Sequence, residues 1–468
     1  MGDVSQRENY RGKLGDKRLE KRAAMISSLL YFNQSSSVHG ITQTEAEQKA
    51  AYRFFANEKV EEAKLISTLK ERSRYLCSDK DILVIQDTTE INLDNHRNRL
   101  QRGTGIGLTG NNNDLGFFLH SSLVLDAGQE TVLGFSDIQL WHRPEGMDNS
   151  QRDIKTLPIE EKESYKWIKA SDESKDHLCT ARSITIIEDR EGDMYEQFAL
   201  IPDERTHLII RGRINRILSG DGRLHDYLST QPVAGSYNIE LVHDIRKGIE
   251  KRVASVEVRF GKVKIKKPKD VKRVDIAQEI ELYAVEIKEN NPNIKEPILW
   301  RLLTTCPVSN YEQAKAIVDK YRLRWYIEQL FRLLKKKGFG IESSELETGW
   351  AIRKLTIMVL NAALRVMQML LAYDNKESQP IEQVFDTGEI KCLKMLNIKL
   401  QGDTEKTRNN NDPKKLSWAT WIIAKLGGWK GYNIKRPPGP ITLKKGLDKF
   451  MTMFEGWQLA LNIGKDVS

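Results

Sequence analysis

Asp87 follows the apolar run ILVIQ, and Asp189 follows SITIIE. Neighbouring strands of one sheet lie about 4.8 Å apart, so carboxylates at two such positions can serve a two-ion site, whose metals stand roughly 3.5–4 Å apart. Taken singly, an aspartate in this setting is also an ordinary turn residue or helix cap. A third carboxylate lies in YRLRWYIEQLFRLLKK, residues 321–336. At about 100° per residue on a helix, with Tyr321 at zero, Arg324 falls near −60°, Glu328 near −20° and Lys335 near −40°. These four residues share one narrow stripe. Leu323, Ile327, Leu330, Phe331 and Leu334 fill another sector, so that face docks on something and the charged stripe borders it. The alternative is a wet Arg–Glu pair worth a few tenths of a kcal/mol. Spacing by itself leaves both open.

The elements that must hold these residues follow from hydrophobic period. Residues 1 to about 70 read as helices, LGDKRLEKRAAMISSLLYF and TEAEQKAAYRFFANEKV, joined by the polar NQSSSVHGIT. From Asp81 the period changes to strands: ILVIQDTTEINLD, FFLHSSLVLDA and VLGFSDIQLWHRPE. A polar helical segment leads to SITIIEDREGD and then HLIIRGRINR. Strands without obvious helices continue from about 225 to 295, a β-rich insertion. PILWRLLTT reads as a returning core strand. NYEQAKAIVDKYRLRWYIEQLFRLLKK reads as a long helix with a possible break, and LTIMVLNAALRVMQMLL as another. Residues 375 to 415 read as a polar, Asn-rich linker before a C-terminal unit containing WATWIIAKLGGW and FEGWQLAL.

Composition narrows the partners. Lys and Arg number 74 against 65 acidic residues, a net charge of +9 and a pI near 9.1, which favours an anionic partner. Residues 246–273 hold 12 basic and 3 acidic residues. VEVRFGKVKIKK alternates apolar and basic at strand spacing, as a solvated hairpin or a phosphate-tracking edge would. The four cysteines form no CxxC pair, which excludes a sequence-local zinc site and fits a reducing cytosol. The apolar stretch from Leu355 is broken by Asn361, Arg365 and Gln368, as expected of a buried helix and not a membrane span. GTGIGLTG contains G-x-G-x-x-G at Gly105, Gly107 and Gly110. It lacks the preceding strand and following helix of a dinucleotide site, so a flexible loop is expected.

Tyr321, Arg324, Glu328 and Lys335 satisfy Y-x2-R-x3-E-x6-K, and in this the chain resembles the insertion-sequence-four group of bacterial cut-and-paste DDE transposases. IQDTTEI is similar to that family's first-aspartate strand and IEDREGD to its second-aspartate motif. LGDKRLEKR and AAYRFFANEKV are similar to its N-terminal DNA-binding helices. LHSSLVL, WHRPE, AKLGGW and EGW extend the likeness over nearly the whole chain.

The resemblance implies an α/β fold: an RNase H-like mixed-sheet catalytic core with a β-rich insertion, an N-terminal helical DNA-binding domain and a C-terminal helical domain. The implied domains are 1–70 for binding DNA ends, 71–373 for catalysis with the basic insertion at about 225–295, and 374–468 for a linker and dimerisation. It implies that Asp87, Asp189 and Glu328 hold two Mg²⁺ ions, for which Mn²⁺ can substitute. Tyr321, Arg324 and Lys335 would hold phosphates, and Trp300 would stack on a flipped base. Arg190, Arg211 and Arg213 would contact DNA near the second aspartate; Lys17, Arg18 and Arg53 would contact transposon-end DNA. His120 is expected to support the core and is assigned no metal.

The implied partners are double-stranded DNA, as transposon ends and as target, and a second copy in a homodimeric synaptic complex, with no membrane. The implied setting is the bacterial cytoplasm, with nucleoid association on DNA. The implied reactions are end nicking, hairpin formation and opening, and strand transfer. Two other readings compete: an end-binding regulator that has lost catalysis, and a glycosidase using two of the carboxylates as acid and base.

Overall fold

The computed structural model of the protein describes residues 10–145, 157–220, 222–241, 252–291, 294, 297–335, 338–374, 378–430 and 437–466. Four helices lead: α1 (Lys17–Asn33), α2 (Val38–Ile41), α3 (Glu45–Ala56) and α4 (Glu62–Leu76). Asp16 caps α1 by accepting from the Arg18 N–H at 2.8 Å, and Thr44 with Glu47 forms a capping box on α3. Position 70 lies inside α4.

The sheet follows as β1 (Asp81–Asn92), β2 (Gly107–Leu108), β3 (Leu115–Asp126), β4 (Thr131–Trp141), β5 (Ser183–Glu188) and β6 (Thr206–Arg211). Helix α5 (Tyr165–His177) precedes β5, and α6 (Tyr195–Leu200) precedes β6. β1 runs antiparallel to β3 and parallel to β5, which is in turn parallel to β6, and β4 pairs β3. This mixed α/β core is the RNase H-like fold that the resemblance implied. The sheet does not end there. After α7 (Leu224–Thr230) come β7 (Gly235–Leu241), β8 (Arg252–Lys266), β9 (Glu279–Glu289) and β10 (Leu299–Thr304). These extend it antiparallel in the order β6-β10-β9-β8-β7. The insertion is therefore sheet continuous with the core, and α7 adds a helix where none was expected.

β8 is a strand of a meander and not a sheet edge. It is an interior strand between β7 and β9, and the glutamates of β9 face its cations: Lys262 with Glu281 at 2.7 Å, Lys264 with Glu279 at 3.0 Å, and Arg252 with Glu289. The basic residues Arg246, Lys247 and Lys251 lie outside the described residues. Net charge over a sequence window misses a partner strand that supplies the opposite sign.

Helices α8 (Tyr311–Arg322) and α9 (Trp325–Leu334) follow the sheet, then α10 (Gly349–Asp374), α11 (Thr387–Leu400), α12 (Leu416–Leu426) and α13 (Pro440–Asp466). The stretch expected as a linker thus contains α11, started by a capping box of Asp386 and Glu389. α10 is long and apolar enough to cross a membrane, but 89% of its most apolar window is buried inside the protein. It is a core helix, packed against α1, α3, α4, α9 and α12. Its two consecutive cations tie the leading helices down: Arg353 pairs with Glu62 at 2.7 Å, and Lys354 donates to the carbonyls of Phe55 and Asn57.

β4, which pairs only with β3 among the described strands, has its carbonyls covered by helix side chains. Ser73 of α4 donates to Phe135 O at 2.6 Å, and Gln368 and Arg353 of α10 donate to Val132 O and Leu140 O at 2.7 and 2.9 Å.

The G-x-G-x-x-G segment is a packed loop, which corrects the expectation of flexibility. Gly105 has φ +89°, and a Cβ there would meet the Trp350 ring at 2.6 Å. Its glycine answers a close approach to a side chain.

Candidate active site

Strand parity and register assemble the centre. Leu83 and Ile85 of β1 point into the core cluster shared with α9 and α10, while Ile82 and Val84 point into the cluster under α5 and α6. Continuing the alternation, Gln86 faces α5 and Asp87 faces α9. Gln86 does donate to Ser171 of α5, at 3.0 Å. On β5, Ile187 faces the α9 side, so Glu188 faces α5 and Asp189 returns to the α9 side. The parallel register pairs Ile85 with Ile187; two residues further on, Asp87 and Asp189 are near enough for the Asp189 charge to act on the Asp87 carboxyl. Asp87 lies within β1, not at its end, but just past its pairing with β5.

Glu328 arrives on α9, whose Ile327, Leu330, Phe331, Leu333 and Leu334 are buried. Arg324 links it to the first aspartate: its guanidinium donates to Asp87 Oδ2 at 3.1 Å and to Glu328 Oε1. Burial pushes the Asp87 carboxyl up to about 7, with Arg324 opposing and the charges of Asp189 and Glu328 adding to the rise. Asp189 also accepts from the Glu191 N–H at 2.8 Å, which starts a single turn over Arg190–Gly192.

The break expected as possible in the long helix is present. α8 stops at Arg322 and α9 starts at Trp325, with Arg324 in the turn between them. Tyr321, placed on a cleft-facing stripe by the helical count, is 4% exposed. Burial raises its hydroxyl pKa against the pull of Arg324 and Arg211. Lys335 lies just past α9 and pairs with Glu342 at 3.8 Å, whose carboxylate also accepts from the Asn92 N–H. Lys335 is therefore positioned at the far end of β1, not within the Asp87–Arg324–Glu328 ion cluster. Tyr321, Arg324 and Glu328 keep a common face across the turn, with Arg324 bonded to Glu328 and its charge acting on Tyr321; Lys335 leaves that face because α9 ends at Leu334.

Trp300, on β10, meets Tyr321 edge-on with ring centroids 5.4 Å apart, and the Arg211 guanidinium lies 5.9 Å from its ring. Burial lowers the Arg211 pKa, and Tyr321 opposes this by charge and by a side-chain hydrogen bond. Trp300, Arg211, Tyr321 and Arg324 thus continue from the carboxylates along one face. Arg190 and Arg213 are exposed near the ends of β5 and β6. Lys17, Arg18 and Arg53 are exposed on α1 and α3, and the structure does not bring them to the carboxylates.

Residues behind the centre went unnoticed in the sequence. Glu188, fully buried, accepts from Gln197 and, at 3.4 Å, from Ser171. Burial first and the Asp189 charge second push its carboxyl well above the usual range. Asp193 accepts from the backbone N–H groups of Arg213 and Ile214 at 2.7 and 3.0 Å and from buried Arg216 at 3.1 Å. It fixes the basic extension of β6. His120 is buried, bonded to Thr88 at 2.9 Å and edge-on to Trp167. The last residue of DREGD and the second arginine of GRINR are the sequence signals for the Asp193–Arg216 pair.

The carboxylates fit a metal by chemistry: three hard oxygen donors lie on one face, and burial first, then the neighbouring carboxylate charges, opposes ionisation of Asp87. As arranged, no group of three or more His, Cys, Asp or Glu side chains among the described residues stands at ligand geometry.

Residues 3–60 match the model of the family described as Transposase DNA-binding, and residues 172–365 match that of Transposase DDE domain. The second match includes Asp189, Trp300, Tyr321, Arg324, Glu328 and Lys335. Among solved structures, a cryo-EM structure of piggyBac transposase synaptic complex with hairpin DNA is similar at TM-score 0.38 and 10% identity, over 93% of this chain and 76% of that one. A likeness so distant carries no argument. The two matched domains, with the RNase H-like sheet, make the chain a DNA transposase of the DDE type, which acts on DNA and depends on divalent metal.

Proposed function

We propose that this transposase performs cut-and-paste transposition: nicking at transposon ends, hairpin formation and opening, and strand transfer into target DNA. The observation that supports the proposal is the Arg324 guanidinium joining Asp87 to Glu328, with the Asp189 charge acting on the same Asp87 carboxyl. Asp87, Asp189 and Glu328 would hold two Mg²⁺ ions, or Mn²⁺ in their place. Such ions lower the pKa of a water or 3′-hydroxyl nucleophile and stabilise the leaving oxygen.

Within the protein, Arg324 and Lys335 would hold phosphates by charge and Tyr321 by its hydroxyl. Trp300 would stack on a base displaced by hairpin formation, which offsets the cost of unpairing. Arg190, Arg211 and Arg213 would follow the strand leaving the centre, and Lys17, Arg18 and Arg53 would grip the end sequence. The motif likeness favours the insertion-sequence-four group, of the kind represented by the Tn-five transposase, acting in a bacterial cytoplasm on nucleoid DNA. The three units of about 1–70, 71–373 and 374–468 would bind ends, cut and dimerise. α13 supports the last role through Met453, Leu459 and Leu461, which are exposed along it.

The deciding assay uses linear and supercoiled DNA bearing matched end repeats. The wild type is expected to cleave at the ends with Mg²⁺ and not with EDTA. Glu328→Gln is expected to bind the ends and cut nothing. End binding without cleavage by the wild type would instead establish the regulator reading.

A further inference from the structure

We infer that Arg324 is a resident cation that keeps divalent metal out of the Asp87–Glu328 pair until a DNA phosphate draws it away. The inference rests on the proposed metal-binding role of these carboxylates and adds a coupling between metal and DNA. One guanidinium bridges two carboxylates from different elements, Asp87 on β1 and Glu328 on α9. A divalent ion shared by the same two oxygens would have to occupy the same space. Coexistence at that separation is opposed by charge repulsion and by volume.

The position of Arg324 suits exchange. It stands in the turn between α8 and α9, so its side chain can leave without unwinding a helix. A guanidinium does not lose its proton in a protein, so Arg324 yields the bridge between Asp87 and Glu328 only by moving. The ligand that competes best for a guanidinium is a phosphate, which accepts the same planar two-pronged donation as a carboxylate. Arg211 and Trp300, adjoining Tyr321, provide a route along which a nucleic-acid strand would pass. Metal then binds weakly to the free protein and tightly to the DNA complex, and by linkage DNA binds more tightly when metal is present. The free enzyme is held unloaded, which limits cutting away from a bound end.

The test is a titration of full-length protein with Mn²⁺ alone, followed by the decline of the free-ion electron paramagnetic resonance signal. Circular dichroism checks that each variant is folded. Without DNA, Arg324→Gln is expected to bind Mn²⁺ about 10- to 100-fold more tightly than wild type, the span usual for coupled sites. Arg324→Lys, which keeps the charge but cannot bridge both carboxylates as a fork, should fall between. The reciprocal measurement is anisotropy of a labelled duplex in Ca²⁺ against EDTA: the wild type should gain affinity with Ca²⁺, and Arg324→Gln should gain less. Equal Mn²⁺ affinity in wild type and both Arg324 variants, with binding abolished by Asp87→Asn, would overturn the lock while leaving the metal site standing. Mn²⁺ binding indifferent to Asp87→Asn would overturn the metal reading itself, and the lock with it.

Discussion

At the scale of single residues, the centre is a set of charges that need one another. Asp193 and Arg216 show the structural side: both are buried, and the carboxylate also holds the backbone after β6. Removing one partner leaves the other charged and dry. Asp193→Ala is therefore expected to lose about 3–5 kcal/mol in urea unfolding, and Asp193→Leu combined with Arg216→Met should recover a good part of it. The catalytic candidates were visible as residue types in the sequence, and the four-residue motif identified them by likeness. Helical spacing put Tyr321, Arg324 and Glu328 on one face, but it did not show that the tyrosine is buried or that α9 ends before Lys335, which pairs with Glu342.

At the scale of elements, alternation along strands sets the face that each aspartate takes. Asp87 and Asp189 are each an even number of residues past side chains that pack under α9 and α10, so their common face followed from parity. Their adjacency did not, because nothing local sets the register of two strands a hundred residues apart. The same applies to β8, whose cations find their partners on β9. Junctions between helices carry a pH signature. His177 of α5 meets Ser73 Oγ and the Lys70 carbonyl of α4, each at 3.0 Å, and burial first, then Lys70, lowers its pKa to about 4. Burial lowers that of His120 to about 3. Both remain neutral in the folded state while the unfolded chain takes up protons below its ordinary value of 6.5. Their contribution is thus complete above about pH 6.5 and is lost as pH falls toward 4. Thermal melts should show this decline, and His177→Gln should make it shallower.

At the scale of the molecule, the net charge of +9 gives little guidance to where DNA lies, since Arg252, Arg259, Lys262 and Lys264 of the basic insertion are paired across strands. Salt dependence discriminates. If Lys17, Arg18 and Arg53 meet phosphates, each change to Ala should reduce the slope of log affinity against log salt by about 0.9 for every phosphate left without its cation. Lys262→Ala and Lys264→Ala, which break pairs with Glu281 and Glu279, should leave that slope nearly unchanged. Filter binding at several salt concentrations measures both.

The covered border of β4 has a consequence for how the protein is made. Ser73 is synthesised before the strand it covers, but Arg353 and Gln368 come more than two hundred residues after it. On the ribosome, the nascent sheet therefore carries a partly bare edge through the production of the whole insertion. A bare edge recruits other chains. Slower synthesis lengthens that exposure, so the yield of soluble transposase should depend on how soon α10 follows β4, and a chain truncated before residue 353 should collect in aggregates.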